Sequence, residues 1–177
     1  MPRPAVYGID EFRAAQRAKR RDLIYCYCDA PQVALDFILR EVEEFRGTAG
    51  CPVVWELDAR NGRPLQDLGK HSGGWDVIYS SNLLSGLCMR AAQQAVRKAV
   101  SRLRPGGRLL LSNVSLNAKV QACCVCSHPG MHFRTELELA ELTRDIPERT
   151  FTGQAVFSDE FGLNAYLELH KRTDFVF

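Results

Sequence analysis

A strand, a long amphipathic helix and a second strand occupy residues 75–113, and this stretch constrains the fold more than any other part of the chain. Trp75-Asp76-Val77-Ile78-Tyr79-Ser80 follows the glycine turn Ser72-Gly73-Gly74 and is rich in aromatic and β-branched residues, which predicts a strand. From Met89 to Leu103, the positions Ala92, Ala95, Val96, Ala99, Val100 and Leu103 recur at helical spacing and make one inward face. Arg104-Pro105-Gly106-Gly107 is expected to end that helix, with glycine taking the left-handed cap and proline barring continuation. Arg108-Leu109-Leu110-Leu111-Ser112-Asn113 then reads as another strand.

The alternation extends in both directions. Residues 9–22 predict a helix capped by Asp10, with a thin apolar face through Phe12 and Ala15. Residues 23–28 form a short apolar and aromatic run that closes on Asp29, and Ala30-Pro31 breaks it. Val33, Phe37, Ile38, Val42 and Phe45 supply the face of a helix ending near Gly47. Residues 52–58 are a second strand that again stops on an aspartate, Asp58. Past residue 113 come an irregular cysteine-rich segment, a helix over residues 135–145 and strands around residues 154–157 and 164–170. Asp159-Glu160-Phe161-Gly162 turns between the last two, which makes them an antiparallel hairpin. Strands and helices in alternation, then a hairpin, describe an α/β fold with a mostly parallel sheet and an antiparallel edge.

Composition narrows the function classes. The 23 basic and 21 acidic side chains leave a net charge of +2, too mild a balance to point to nucleic acid. The basic run over residues 17–21 is read as the solvated face of a helix. Nothing reaches the ~20 consecutive apolar residues of a membrane span, and no apolar segment follows Met1-Pro2-Arg3 as in a secretory signal. Seven cysteines, an odd number without framework spacing, suit a reducing compartment, so a cytoplasmic location is expected. No G-x-S-x-G elbow and no P-loop lysine motif occur in the chain.

The segment over residues 75–84, the helix behind it and Leu103-Arg104-Pro105-Gly106-Gly107-Arg108-Leu109-Leu110-Leu111-Ser112 resemble the fourth strand, following helix and turn into the fifth strand of class I S-adenosylmethionine-dependent methyltransferases. The resemblance implies a Rossmann-like sheet with helices on both faces, one domain over residues 1–177, and S-adenosylmethionine as cofactor. It also implies roles for particular residues at the carboxyl ends of the strands, where open parallel sheets bind ligands. Asp29 would accept hydrogen bonds from the ribose hydroxyls, Asp58 would contact the adenine amino group, and Ser80 and Ser81 would lie beneath the methionine end. Each has a blander reading: the aspartates as turn or cap residues, and Ser80, Ser81 and Asn82 as caps of the next helix.

One family feature is missing. A strand running into a G-x-G-x-G loop normally opens such a domain, and here Ala5-Val6-Tyr7-Gly8 is the only candidate. Gly8 is therefore expected to be the last glycine of a loop whose earlier part is truncated or missing. A stub strand, a second copy of the chain, a partner subunit or a longer natural product would then complete the sheet. Two functional readings follow: a methyltransferase acting on a small-molecule or lipid-like acceptor, or a non-catalytic remnant that binds a protein partner. Cys123, Cys124, Cys126, His128 and His132 are crowded together but lack the paired C-x-x-C spacing of a structural zinc site, so no metal is expected. They read instead as a pocket-lining loop in which His128 or His132 could serve as a general base.

Overall fold

The computed structural model describes residues 26–29, 53–56, 74–80, 83–116 and 130–174. The chain divides into two compact units, Met1–Pro64 and Leu65–Phe177, each considered by itself. The helices expected over residues 9–22 and 33–45, and the candidate loop at Gly8, lie outside the described residues.

In the first unit, β1 (Cys26–Asp29) and β2 (Val53–Glu56) pair in parallel, Cys26 opposite Val53 and Asp29 opposite Glu56. Both strands fall inside the runs expected to hold them, and their carboxyl ends share one edge.

The second unit holds a four-stranded sheet of order β3-β4-β6-β5. Its strands are β3 (Trp75–Ser80), β4 (Leu103–Val114), β5 (Phe151–Ser158) and β6 (Asn164–Lys171). β3 and β4 are parallel, with Ser80 opposite Leu111, while β6 runs antiparallel to both β4 and β5. The expected hairpin is therefore present, folded so that its second strand lies against β4. The turn is held by Asp159, whose Oδ1 accepts from Leu163 N at 2.7 Å and whose Oδ2 accepts from Asn164 N at 3.0 Å. Desolvation raises the Asp159 carboxyl, but the hydrogen bonds from Leu163, Asn164 and Phe161 outweigh it and hold the group below its ordinary range.

Alternation of side chains decides which face is covered. Leu109, Leu111, Ala165, Leu167 and Leu169 are buried on one face. Ala92, Val96, Ala99 and Val100 of helix α1 (Met89–Arg102) are buried as well, so the helix packs by the stripe read from its spacing. Ala95 sits at the margin, half-buried. Helix α2 (Glu136–Ala140) starts with a capping box: Thr135 Oγ1 accepts from Glu138 N, and Glu138 Oε2 accepts from Thr135 N at 2.8 Å. It is shorter than the expected 135–145 helix because it tightens into the 3-10 turn Glu141–Thr143.

The Pro-Gly-Gly segment does something other than cap α1. The helix ends directly into extended backbone at Leu103 (φ −70°, ψ 138°), with no left-handed residue there. Leu103 N donates back to Ala99 O and Val100 O, and the sheet supplies a further donor. Lys171 Nζ donates to Leu103 O at 2.6 Å and to Val100 O at 3.2 Å, placing a cation at the negative end of the helix. Pro105-Gly106-Gly107 forms an irregularity inside β4: Trp75 pairs with Leu103, but Val77 pairs with Arg108, so β4 carries extra residues at that point. Gly106 adopts φ +79°, which an L side chain would resist.

Lys171 is only 4% exposed. Burial strips water from its ammonium and lowers its pKa below the usual 10.5. The folded state therefore sheds this proton at a lower pH than the unfolded chain, and burying the charged form opposes folding below the lowered value. That opposition is relieved as pH rises from the lowered value through 10.5. Urea unfolding of wild type and Lys171→Met at neutral pH and near pH ~10 should show the balance shifting toward wild type at the higher pH. A difference that is flat or moves the other way would reject the coupling.

Candidate functional site

Because β3 and β4 are parallel, their carboxyl ends lie on one edge of the sheet, where loops rather than strand pairing decide what can bind. Ser80 is the last residue of β3 and is half-buried. β4 continues beyond its pairing with β3, through Ser112 and Asn113 to Val114, and forms a ledge at that edge. Antiparallel β6 begins at the same edge, with Asn164 opposite Val114, so the hairpin turn flanks the ledge too.

A buried polar network is built on the ledge. Arg134 is 2% exposed and Asn113 is fully buried. The Arg134 guanidinium donates from Nη1 to Asn113 Oδ1 and to Leu84 O, both at 2.6 Å, and from Nη2 to Leu87 O. Leu84 belongs to the 3-10 turn Leu83–Gly86, which follows β3, and Leu87 follows that turn directly. Asn113 Nδ2 donates to Val114 O at 2.7 Å and to His132 O at 3.0 Å. Ser85 completes the network: its Oγ accepts from Val114 N at 3.0 Å, and its carbonyl accepts from His132 N at 2.7 Å. The main chain also couples residue 134 to the end of β4, Arg134 N donating to Val114 O at 3.3 Å and Leu116 N to Arg134 O at 3.1 Å. Desolvation lowers the Arg134 pKa, opposed by the nearby Glu138 and Cys88, yet a guanidinium stays charged even so.

The residues singled out from the sequence distribute unevenly. Asp29 is the last residue of β1, opposite Glu56, and belongs to the first unit. Ser80 belongs to the second and lies on the same edge as the Ser85–Asn113–Arg134 network. Gly8, Asp58, Ser81, Cys123, Cys124, Cys126 and His128 lie outside the described residues. His132 is described: its side chain is exposed while its main chain is tied at both N–H and C=O. Among the described residues no three metal-ligating side chains converge, and no helix is long and apolar enough to cross a membrane. Sequence reasoning missed the network itself. Its only local trace was an arginine just before the Thr-x-x-Glu box and an asparagine that follows three leucines and a serine.

No protein-family model and no curated protein matches the sequence. Solved structures do match. An O-methyltransferase family protein from Burkholderia thailandensis aligns with a TM-score of 0.64 at 17% identity, over 93% of this chain and 48% of its own. The S-adenosylmethionine-dependent methyltransferase SibL aligns at 0.61 and 13% identity, over 93% of this chain and 47% of its own. Magnesium protoporphyrin IX methyltransferase from Synechocystis PCC 6803, with bound SAH, aligns at 0.55 and 14%, over 92% and 81%. The chain thus spans about half the length of the first two. Likeness at this level of identity is likeness of fold, and it agrees with the parallel strand pairs, the covering helix and the antiparallel hairpin. The fold of this chain is the Rossmann-like α/β fold of S-adenosylmethionine-dependent methyltransferases.

Proposed function

We propose that the protein binds S-adenosylmethionine and methylates a small-molecule or lipid-like acceptor in the cytoplasm. The observation that carries this reading is the placement of Asp29 and Ser80 as the terminal residues of strands with parallel partners. Strand ends of that kind are where such sheets take nucleotide-like ligands. A carboxylate at the end of β1 suits a pair of ribose hydroxyls, and the half-buried Ser80 suits the polar end of an amino acid. In this proposal Asp58 is assigned to the adenine, Ser81 to the methionine end and Gly8 to a close backbone approach.

Bound there, the cofactor supplies a methyl group on a positively charged sulfur, already activated for displacement. The protein's share is then chiefly positioning, since an aligned nucleophile needs no strong acid or base. Asp29 and Asp58 would fix the nucleoside, and Ser80 and Ser81 the reacting end. The segment carrying His132 would border the acceptor.

Thermal unfolding with and without S-adenosylhomocysteine tests the reading. Ligand at 100 times its dissociation constant adds ~2.7 kcal/mol of stability, which corresponds to a rise of roughly 5–10 °C for a chain of this length. Asp29→Ala should abolish most of that rise. No rise at millimolar ligand would instead favour a non-catalytic protein that uses the fold to bind a partner.

A further inference from the structure

We propose that Arg134 is a positioning residue for the amino-acid end of the cofactor, acting through the turn that follows β3. The inference rests on the cofactor reading above and deepens it. Ser80 leaves the sheet at the carboxyl edge, and the 3-10 turn Leu83–Gly86 begins three residues later. Within the turn region, Leu87 N donates back to Leu84 O at 3.0 Å. Its long-range ties are to Arg134, through Leu84 O and Leu87 O, and to the end of β4 and residue 132, through Ser85.

A guanidinium is a planar fork with fixed donor directions. Here one nitrogen binds Leu84 O and the Asn113 side chain, and the other binds Leu87 O. The fork thus sets the turn's distance and tilt relative to the β4 ledge. Desolvating an ion to bond neutral acceptors is an expensive way to join two loops. What it provides is a fixed position for the turn Leu83–Gly86, which begins three residues after Ser80 at the edge proposed to meet the ligand's amino-acid end. Asp29, assigned to the nucleoside, belongs to the first compact unit. Loosening the fork should therefore damage recognition of one end of the ligand and spare the other.

Two probes separate the ends: S-adenosylhomocysteine, and 5′-methylthioadenosine, which has the nucleoside and sulfur but no amino-acid group. Their affinities would be measured by calorimetry for wild type, Arg134→Met, Arg134→Lys and Ser85→Ala, each well below its melting temperature. Arg134→Met should weaken S-adenosylhomocysteine about tenfold, equivalent to ~1.4 kcal/mol, and change methylthioadenosine less than about twofold. Arg134→Lys, keeping the charge without the fork, should recover part of the loss. Ser85→Ala removes the acceptor for Val114 N and leaves Arg134 in place, so it keeps the test available if Arg134→Met does not fold. It should move the two affinities in the same unequal way. Equal losses for both probes, or unchanged S-adenosylhomocysteine affinity in folded variants, would overturn the positioning role alone. Wild type that binds neither probe would overturn the cofactor reading and this inference with it.

Discussion

Replacing Arg134 with methionine is expected to lower the melting temperature by roughly 6–12 °C, about 3 kcal/mol for a chain of this size. The substitution roughly preserves volume, so the effect comes from hydrogen bonding. Leu84 O, Leu87 O and Asn113 Oδ1 all lose their charged donor at a buried site. Leu84 O keeps its bond from Leu87 N, whereas a buried acceptor left without a partner costs ~1–3 kcal/mol. Against that stands the desolvation of the guanidinium, which methionine no longer suffers, so the net falls well short of the sum. Differential scanning calorimetry measures the outcome. A change under about 2 °C would mean that the ion's burial cancels its bonds, and that the network contributes geometry rather than stability.

Gly107→Ala should also be costly, by about 2–4 kcal/mol, for a different reason. A Cβ at that position would lie 2.8 Å from Trp75 O, 2.9 Å from Arg104 O and 3.1 Å from Asp76 O. All three are backbone oxygens in or beside the β3–β4 pairing, so none can swing aside, and the strands must part locally. Overpacking in cores typically costs ~1–3 kcal/mol even where side chains can adjust. Gly106→Ala offers the comparison: there the nearest atom is the Thr173 methyl at 3.3 Å, and the penalty comes from φ +79°, ~1–2 kcal/mol. Equilibrium urea unfolding should rank Gly107→Ala as the more damaging. The reverse order would reject the steric argument.

These two sites mark where local reading succeeds and where it stops. The β3 strand and the α1 helix were legible because their signals are local: β-branched and aromatic residues in one, 3.6-residue spacing in the other. Pro-Gly-Gly was recognisable as an interruption, but its role was not. Whether a glycine caps a helix or relieves a bulge depends on the neighbouring strand, and here the helix cap came from Lys171, far along the chain. The polar network was illegible for the same reason. Ser85, Asn113 and Arg134 lie in separate segments, and nothing in the neighbours of any one of them predicts the other two. Residues at strand ends fared better, since Asp29 and Ser80 each terminate a strand as their patterns required.

The order β3-β4-β6-β5 has a consequence for how the second unit assembles. The last of these strands to be synthesised is an interior one, and one of its partners, β4, arises well before it. Arg108 waits for His170, and Val114 waits for Asn164. Until Asn164–Lys171 emerges, the apolar edge of β4 has no neighbour, and α1 lacks the ammonium that meets its final carbonyls. Long-range pairings of this kind close slowly because their loop entropy is lost before the contact forms. Chains stalled or clipped before residue 164 would keep β4 paired with β3 on one side only and leave its other edge open, an edge prone to aggregation rather than a smaller working unit.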